Sequence, residues 1–220
     1  MADASTPDRR PPGHIAVEGP IGVGKTTLAR RLASHLDRPT LLEPDDNPFL
    51  ARYYRNPRRY ALPTQLFFLL HRAGRVGELA GPLLGADVVS DFLMEKDRLF
   101  ARMTLDDNEM GLYDRISASL DIEPPTPDLV IYLQAPVSVL LERISRRGDP
   151  RETHIDSGYL GRLSEAYTRF FHDYDRAPLL IVNAAEIDFA GNAAHFHALA
   201  NEALEVSGAR TYFNPNPTLL

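Results

Sequence analysis

Residues 19–26 read Gly-Pro-Ile-Gly-Val-Gly-Lys-Thr, and their types and spacing suit the holding of phosphate. Two glycines separated by four residues and followed by Lys and Thr form the phosphate-loop pattern. Glycine lets the backbone turn tightly enough for successive N–H groups to point at phosphate oxygens. A helix opening there adds the positive end of its dipole. Lys25 would reach the outer phosphates, and Thr26 would hold Mg2+ through its hydroxyl. Two acids at the ends of apolar runs complete the chemistry. Glu43 in Leu-Leu-Glu-Pro could accept or position the proton of a substrate hydroxyl during phosphoryl transfer. Asp91, closing Asp-Val-Val-Ser-Asp, could reach Mg2+ directly or through water. Arg143, Arg146, Arg147 and Arg151 crowd one helix end and loop, where guanidinium groups would neutralise equatorial phosphoryl oxygens. A mobile lid over about residues 144–155 that closes and excludes water follows from that density. No Asn-Lys-x-Asp guanine-reading motif is present, which weighs against a switch GTPase.

The elements that must position these groups alternate. Strands are expected at His14–Glu18, Pro39–Glu43, Asp87–Asp91, Asp128–Leu133 and Leu179–Asn183. Helices are expected at Gly24–His35, from Asp45 or Asp46 to Tyr54, from Pro57 toward Leu79, at Glu95–Met103, Asp106–Leu120, Val137–Ile144, Asp156–Tyr174 and Phe189–Val206. Gly81-Pro82 would end the long helix that begins at Pro57. Strand-helix alternation implies an α/β fold, a five-stranded parallel sheet with helices on both faces. Ligands of such sheets sit at the carboxyl ends of the strands. Gly19, Glu43, Asp91 and Gln134 all fall there and should converge.

The chain of 220 residues, 25% charged and 44% hydrophobic, fits one folded domain over 14–208. Residues 1–13 are polar and proline-rich, without the apolar segment of a secretory signal, and read as a disordered arm. Residues 209–220 carry two Asn-Pro steps and read as an irregular tail. A net charge of −6 argues against a nucleic-acid-coating surface. No apolar run is long enough to cross a membrane. Cysteine is absent, which fits a cytoplasmic location and excludes thiolate chemistry.

In their order these residues resemble the deoxynucleoside kinases, the family of deoxycytidine, deoxyguanosine and bacterial deoxyadenosine kinases. The similarity runs from about Ile15 to Leu204. Glu18-Gly19-Pro20-Ile21-Gly22-Val23-Gly24-Lys25-Thr26-Thr27-Leu28 resembles the family's phosphate loop, and Glu43-Pro44 its general-base element. Tyr54 sits where the family binds the sugar 3′-hydroxyl, and Gln65 where a glutamine reads the base edge. Arg72 and Asp97 fall where deoxycytidine and deoxyguanosine kinases carry a base-facing pair. Ile131 to Ala135 resembles the strand before the lid. Arg143 and Arg147 match lid arginines, and Glu152 the lid glutamate at the sugar.

The resemblance implies a P-loop kinase with an arginine-bearing lid, acting on the 5′-hydroxyl of a small-molecule deoxyribonucleoside with ATP and Mg2+, in nucleotide salvage. Gly19, Gly22, Gly24, Lys25, Thr26 and Thr27 would hold the nucleotide, and Thr26 and Asp91 the metal. Glu43, Lys25, Arg143 and Arg147 would be catalytic. Tyr54, Gln65, Arg72, Asp97, Glu152 and Glu43 would hold the nucleoside. A homodimer is implied by the family alone. A glutamine amide beside an arginine–aspartate pair favours deoxyadenosine, deoxyguanosine or deoxycytidine over thymidine.

Two departures stand out. The family's Asp-Arg or Glu-Arg is here Asp91-Phe92, and its third lid arginine is Asp149. Compensation by Arg146, Arg98 or Arg151 is expected. Two rivals share the fold: a nucleoside monophosphate kinase resembling thymidylate kinase, and a non-catalytic nucleotide-binding protein. Glu43 beside the acceptor oxygen disfavours the first, and the intact set Lys25, Thr26, Glu43 and Asp91 disfavours the second.

Overall fold

Short apolar runs alternating with amphipathic stretches bury themselves best as a sheet covered by helices, and this chain does so. The computed structural model describes residues 11–79, 87–121 and 123–214. Its strands are β1 (His14–Glu18), β2 (Thr40–Leu41), β3 (Val88–Ser90), β4 (Leu129–Gln134), β5 (Leu179–Asn183) and β6 (Arg210–Phe213). Its helices are α1 (Lys25–Leu36), α2 (Leu50–Arg55), α3 (Pro57–Leu79), α4 (Lys96–Thr104), α5 (Asp107–Ser119), α6 (Val137–Arg147), α7 (Ser157–His172) and α8 (Ala193–Glu205), with a 3-10 turn at Pro150–Glu152.

The sheet order is β2-β3-β1-β4-β5-β6, and every pairing is parallel. All carboxyl ends therefore lie along one edge. β1 sits where the winding reverses, and such sheets open a ligand crevice there. Glu18 and Tyr132 are register partners on β1 and β4, so their side chains share a face. Tyr132 stacks on Phe171 of α7 at 4.2 Å, and Tyr167 of α7 meets Phe100 of α4 at 6.1 Å. On the opposite face α1 and α8 meet through His35 and Phe196 at 5.6 Å. The strands between these layers are buried: Ile15, Val17, Ile131, Leu133 and Leu180 are all fully inaccessible.

The sheet has six strands where the sequence suggested five. The extra one lies in residues 209–220, read as an irregular tail. Arg210 to Phe213 pair with Leu179 to Val182, and the Arg210 guanidinium donates to the carbonyls of Phe171 and His172 at 2.8 and 2.9 Å. The two Asn-Pro steps begin only at Asn214. The folded part thus extends beyond 208; residues 215–220 lie outside the described residues.

Pro12 and Gly13, assigned to the arm over 1–13, are tied to the fold. Gly13 N–H donates to Asp128 Oδ2 at 2.9 Å, and Arg38 donates to the carbonyls of Pro12 and Gly13. Residues 1–10 lie outside the described residues, as do Gly81 and Pro82. β2 spans two residues, so Glu43 stands just past it rather than within it. α2 begins at Leu50, and neither Asp45 nor Asp46 caps it. α8 begins at Ala193, four residues later than its periodicity suggested. Asp188 takes the N–H groups of Ala190 and Gly191 at 3.2 and 2.7 Å, and Asn192 caps Ala194 at 2.9 Å. Such local side-chain bonds compete with helix formation.

Candidate active site

The loop leaving β1 keeps Gly19, Gly22 and Gly24 at φ of +148°, +83° and +107°, a region that side chains rarely tolerate. At Gly19 the constraint is also spatial, because a Cβ would lie 2.4 Å from the carbonyl oxygen of Leu133. Gly24 opens α1, so the helix N-terminus and the loop's N–H groups share one concavity. Lys25 Nζ lies back over this loop, donating to Gly19 O at 2.9 Å and Pro20 O at 3.2 Å. Burial, and then the nearby Lys96, pull the Lys25 ammonium down to about 7. Phosphate oxygens would take over the bonds that the two carbonyls now accept.

Asp91 joins the loop to the acceptor side. Its Oδ2 accepts from the Thr26 hydroxyl at 2.5 Å, and its Oδ1 from the Glu43 N–H at 2.7 Å. One carboxylate therefore holds the backbone of Glu43 one side chain away from the phosphate loop. Thr26 and Asp91 form a small, hard-oxygen donor set. Among the described residues no group of three or more His, Asp or Glu is arranged as a metal cage. Mg2+ is commonly held by one or two protein oxygens with phosphates and water filling the rest, so the residues present fit it.

Glu43 is the centre of a dense ion-pair network. Its carboxylate accepts from Lys96 Nζ at 2.8 Å and from the Arg72 guanidinium. Arg72 also donates to Asp97, and the rings of Phe68 and Phe92 lie 5.3 and 5.8 Å from its guanidinium carbon. Arg72 and Lys96 are 3% and 5% exposed, a depth at which cations persist only when paired. Burial lowers Arg72 to about 10 despite its acidic neighbours. Phe92 is core, packed with Leu41 and Val88.

A cavity of about 400 Å3 opens in front of Glu43, lined by Tyr54, Gln65, Arg72, Lys96, Arg147 and Glu152 among others. Tyr54 and Tyr159 pack edge to face in its lining at 6.0 Å. Burial, and then the Glu152 charge, push the Tyr54 phenol well above its ordinary range. Gln65 is buried in this wall. Asp97 stands behind Arg72 rather than on the lining, with Oδ2 buried and without a hydrogen-bond partner.

A second cavity of about 650 Å3 lies on the far side of the loop, lined by Gly22, Gly24, Thr27, Arg143, Arg146 and Arg147 among others. Gly22 and Arg147 line both cavities, so the two meet at the loop. Arg143 donates to Val23 O at 3.0 Å and Ala184 O at 2.7 Å, which braces the loop against the segment after β5.

Of the lid expected over about 144–155, residues 144–147 are instead the last turn of α6, which ends at Gly148 with φ +66°. Asp149, which stands in place of an arginine, accepts from the Arg151 N–H at 2.8 Å and pairs with its guanidinium at 2.7 Å. Arg151 in turn donates to the carbonyl of Asp45, and Arg147 pairs with Glu152. Of the three arginines expected to compensate, Arg151 lines the first cavity and Arg146 the second. Arg98 is exposed and pairs with Asp114.

Two further residues, Glu18 and Lys96, join the site through the fold. Glu18 is fully buried and accepts from Gly19 N–H, Leu93 N–H and the Tyr167 hydroxyl, each at 2.9 Å. An acid closing the apolar run of β1 was the available signal. Lys96, one position before Asp97, carried no signal until the fold placed it.

A family model described as deoxynucleoside kinase matches residues 15–206. The deoxyguanosine kinase of Bacillus subtilis (strain 168) is 33% identical over 199 residues, covering 87% of this chain and 96% of its own. The deoxyadenosine kinase of Dictyostelium discoideum is 33% identical over 180 residues, covering 79% and 73%. The structure of deoxyadenosine kinase from M. mycoides with bound dATP superposes with a TM-score of 0.74 at 24% identity, covering 86% of this chain and 97% of that one.

Proposed function

The chain belongs to the deoxynucleoside kinase family and is a nucleoside kinase, and from that premise we propose that it transfers the γ-phosphoryl group of ATP to the 5′-hydroxyl of a deoxyribonucleoside. The observation that carries this is that Glu43 shares one cavity with Lys25 and Thr26 of the phosphate loop, and that a second cavity meets it at Gly22 and Arg147. ATP occupies the larger cavity with its phosphates on Gly19–Thr26. The nucleoside occupies the smaller one, its sugar at Tyr54 and Glu152 and its base toward Gln65 and Arg72, with Asp97 holding Arg72 in place.

Glu43 accepts the 5′-hydroxyl proton as the new O–P bond forms and the bond to the β-phosphate oxygen breaks. Lys25 and Arg147 neutralise the charge that spreads over the transferred oxygens. Arg143 braces the loop on which that charge rests. Thr26 and Asp91 would hold Mg2+, which supplies neutralisation of the outer phosphates when bound. The Arg72–Asp97 pair beside the buried Gln65 amide offers a fixed fork of donors and an acceptor, which supports deoxyadenosine, deoxyguanosine or deoxycytidine over thymidine.

A monophosphate acceptor would need further cations on its side of the site. There Arg72 and Lys96 are already engaged by Glu43, and position 92 is apolar. Incubation of the protein with ATP, Mg2+ and each of the four deoxynucleosides, and separately their monophosphates, tests the reading. Nucleoside monophosphates should form from at least one of deoxyadenosine, deoxyguanosine and deoxycytidine. Turnover of thymidine alone, or of monophosphates alone, would overturn it.

A further inference from the structure

We infer that Lys96 is a positioning residue for the reaction, holding the Glu43 carboxylate as an anion aimed at the acceptor hydroxyl and supplying the cation that this chain lacks at position 92. The inference rests on the proposed kinase reading and concerns a residue to which that reading gives no role. Lys96 stands at the first turn of α4, on the cavity wall, with Nζ 2.8 Å from Glu43 Oε2 and 3.6 Å from Glu18 Oε1.

The plainer role for such a lysine is counter-charge to a buried acid. Two distances speak against that being its whole role. The shorter contact is to Glu43, not to Glu18. Glu18 already has three donors, at Gly19, Leu93 and Tyr167, and the one open position, on Oε1, lies 3.6 Å from the amine, beyond hydrogen-bond distance. Glu43 has no such set, and its other partner, Arg72, is shared with Asp97.

The surroundings also explain why a lysine serves there. Glu18 from β1, Glu43 after β2 and Asp91 after β3 face it, against the cations Arg72 on α3 and Lys25 on α1. Burial lowers the Lys96 ammonium, and Glu18 partly restores it. Position 92, adjacent to Asp91, instead carries a phenyl ring that packs into the core beneath Arg72. A chain that buries an apolar group at 92 can bring a cation from four residues onward, because α4 begins at Lys96, whose Nζ lies 2.8 Å from Glu43.

The test separates the two acids. Lys96→Met alone risks misfolding by leaving Glu18 uncompensated, so it is paired with Glu18→Gln, which removes both buried charges together. Wild type, Glu18→Gln and the double variant are compared at saturating ATP and nucleoside. The double variant should turn over on the order of 10- to 100-fold slower than Glu18→Gln, part of the factor that a general base contributes. The nucleoside KM should stay within about threefold, since ground-state binding is untouched. The acid limb of its kcat–pH profile should move to higher pH, because a carboxylate that loses a neighbouring ammonium protonates more readily. Equal kcat in the double variant and Glu18→Gln, with the acid limb unmoved, would overturn the inference and leave Lys96 as the partner of Glu18 alone. A wild type that phosphorylates no deoxynucleoside would instead overturn the kinase reading, and the role of Lys96 with it.

Discussion

The phosphate cradle and the acceptor wall meet at Asp91 yet are built by opposite means. The cradle is one contiguous run whose working parts are backbone N–H groups, fixed by three glycines at positive φ. The wall is drawn from segments far apart in the chain, and its working parts are the side chains of Glu43, Arg72, Asp97 and Lys96. A backbone site admits almost no substitution where the chain turns, but it is indifferent to the filler residues between. A side-chain site can move a charge from one position to another, provided that the charge ends in the same place. That contrast accounts for where this chain departs from the resemblance. Both departures, Phe92 and Asp149, lie outside the cradle, and each has a cation near it: Lys96 beside Glu43, and Arg151 clasped by Asp149.

The contrast breaks most sharply at Gly19. An alanine there places Cβ 2.4 Å from a carbonyl oxygen of buried β4, where no flexible side chain can yield, and it forces φ +148° on a residue with a side chain. Strain of this kind costs on the order of 1–3 kcal/mol before the clash is added. We expect Gly19→Ala to lose more than about 100-fold in kcat/KM and to unfold at lower denaturant. A variant with wild-type stability and turnover would show that the cradle is not rigid.

That difference in construction also decided what the sequence disclosed. The cradle was legible down to its residues because its chemistry is contiguous. The Arg72–Asp97 pair was legible only through resemblance, and even so its second bond, to Glu43, was not foreseen. Glu18 is legible only as part of the loop's motif, because its partners, Tyr167 of α7 and the Leu93 N–H, come from distant segments that only the fold brings together. Lys96 could not be read at all. On an amphipathic helix a lysine is usually on the wet face, and only the packing of α4 over Glu43 turns it inward. Strand number failed for a related reason. β6 is an edge strand of half-exposed residues, so it lacks the apolar run that marks β4.

The lid offers a milder way to sharpen the comparison. Arg151 ties the 3-10 turn to the segment after β2 through Asp45, with Asp149 holding its guanidinium. The pair is partly exposed, and exposed pairs contribute at most about 1 kcal/mol. Arg151→Ala should raise the nucleoside KM about three- to tenfold with kcat within about threefold, because closure over the sugar weakens while Glu43 and the cradle are untouched. Steady-state kinetics at saturating ATP reads both constants. A fall in kcat with unchanged KM would place Arg151 on the transferred phosphoryl group instead of the latch.

The smallest effect is one of protons, and it returns to the cradle. Lys25 has a folded pKa of about 7, against 10.5 for an ordinary lysine, because it is buried beside Lys96. Between those values the unfolded chain binds a proton that the folded chain does not, so Lys25 contributes increasing stability as pH rises from about 7 toward 10.5. Nucleotide binding acts in the opposite sense. Phosphate favours the ammonium, so above pH 7 each binding event must take up a proton at Lys25. The affinity for ATP should therefore weaken by about fivefold between pH 7 and 8. Calorimetry in two buffers of different ionisation enthalpy should show the uptake approaching one proton per nucleotide by pH 8, and Lys25→Met should abolish it. Uptake that persists in Lys25→Met would shift the proton to Lys96, which burial also lowers. The acceptor wall, rather than the cradle, would then be the part of the site that senses pH.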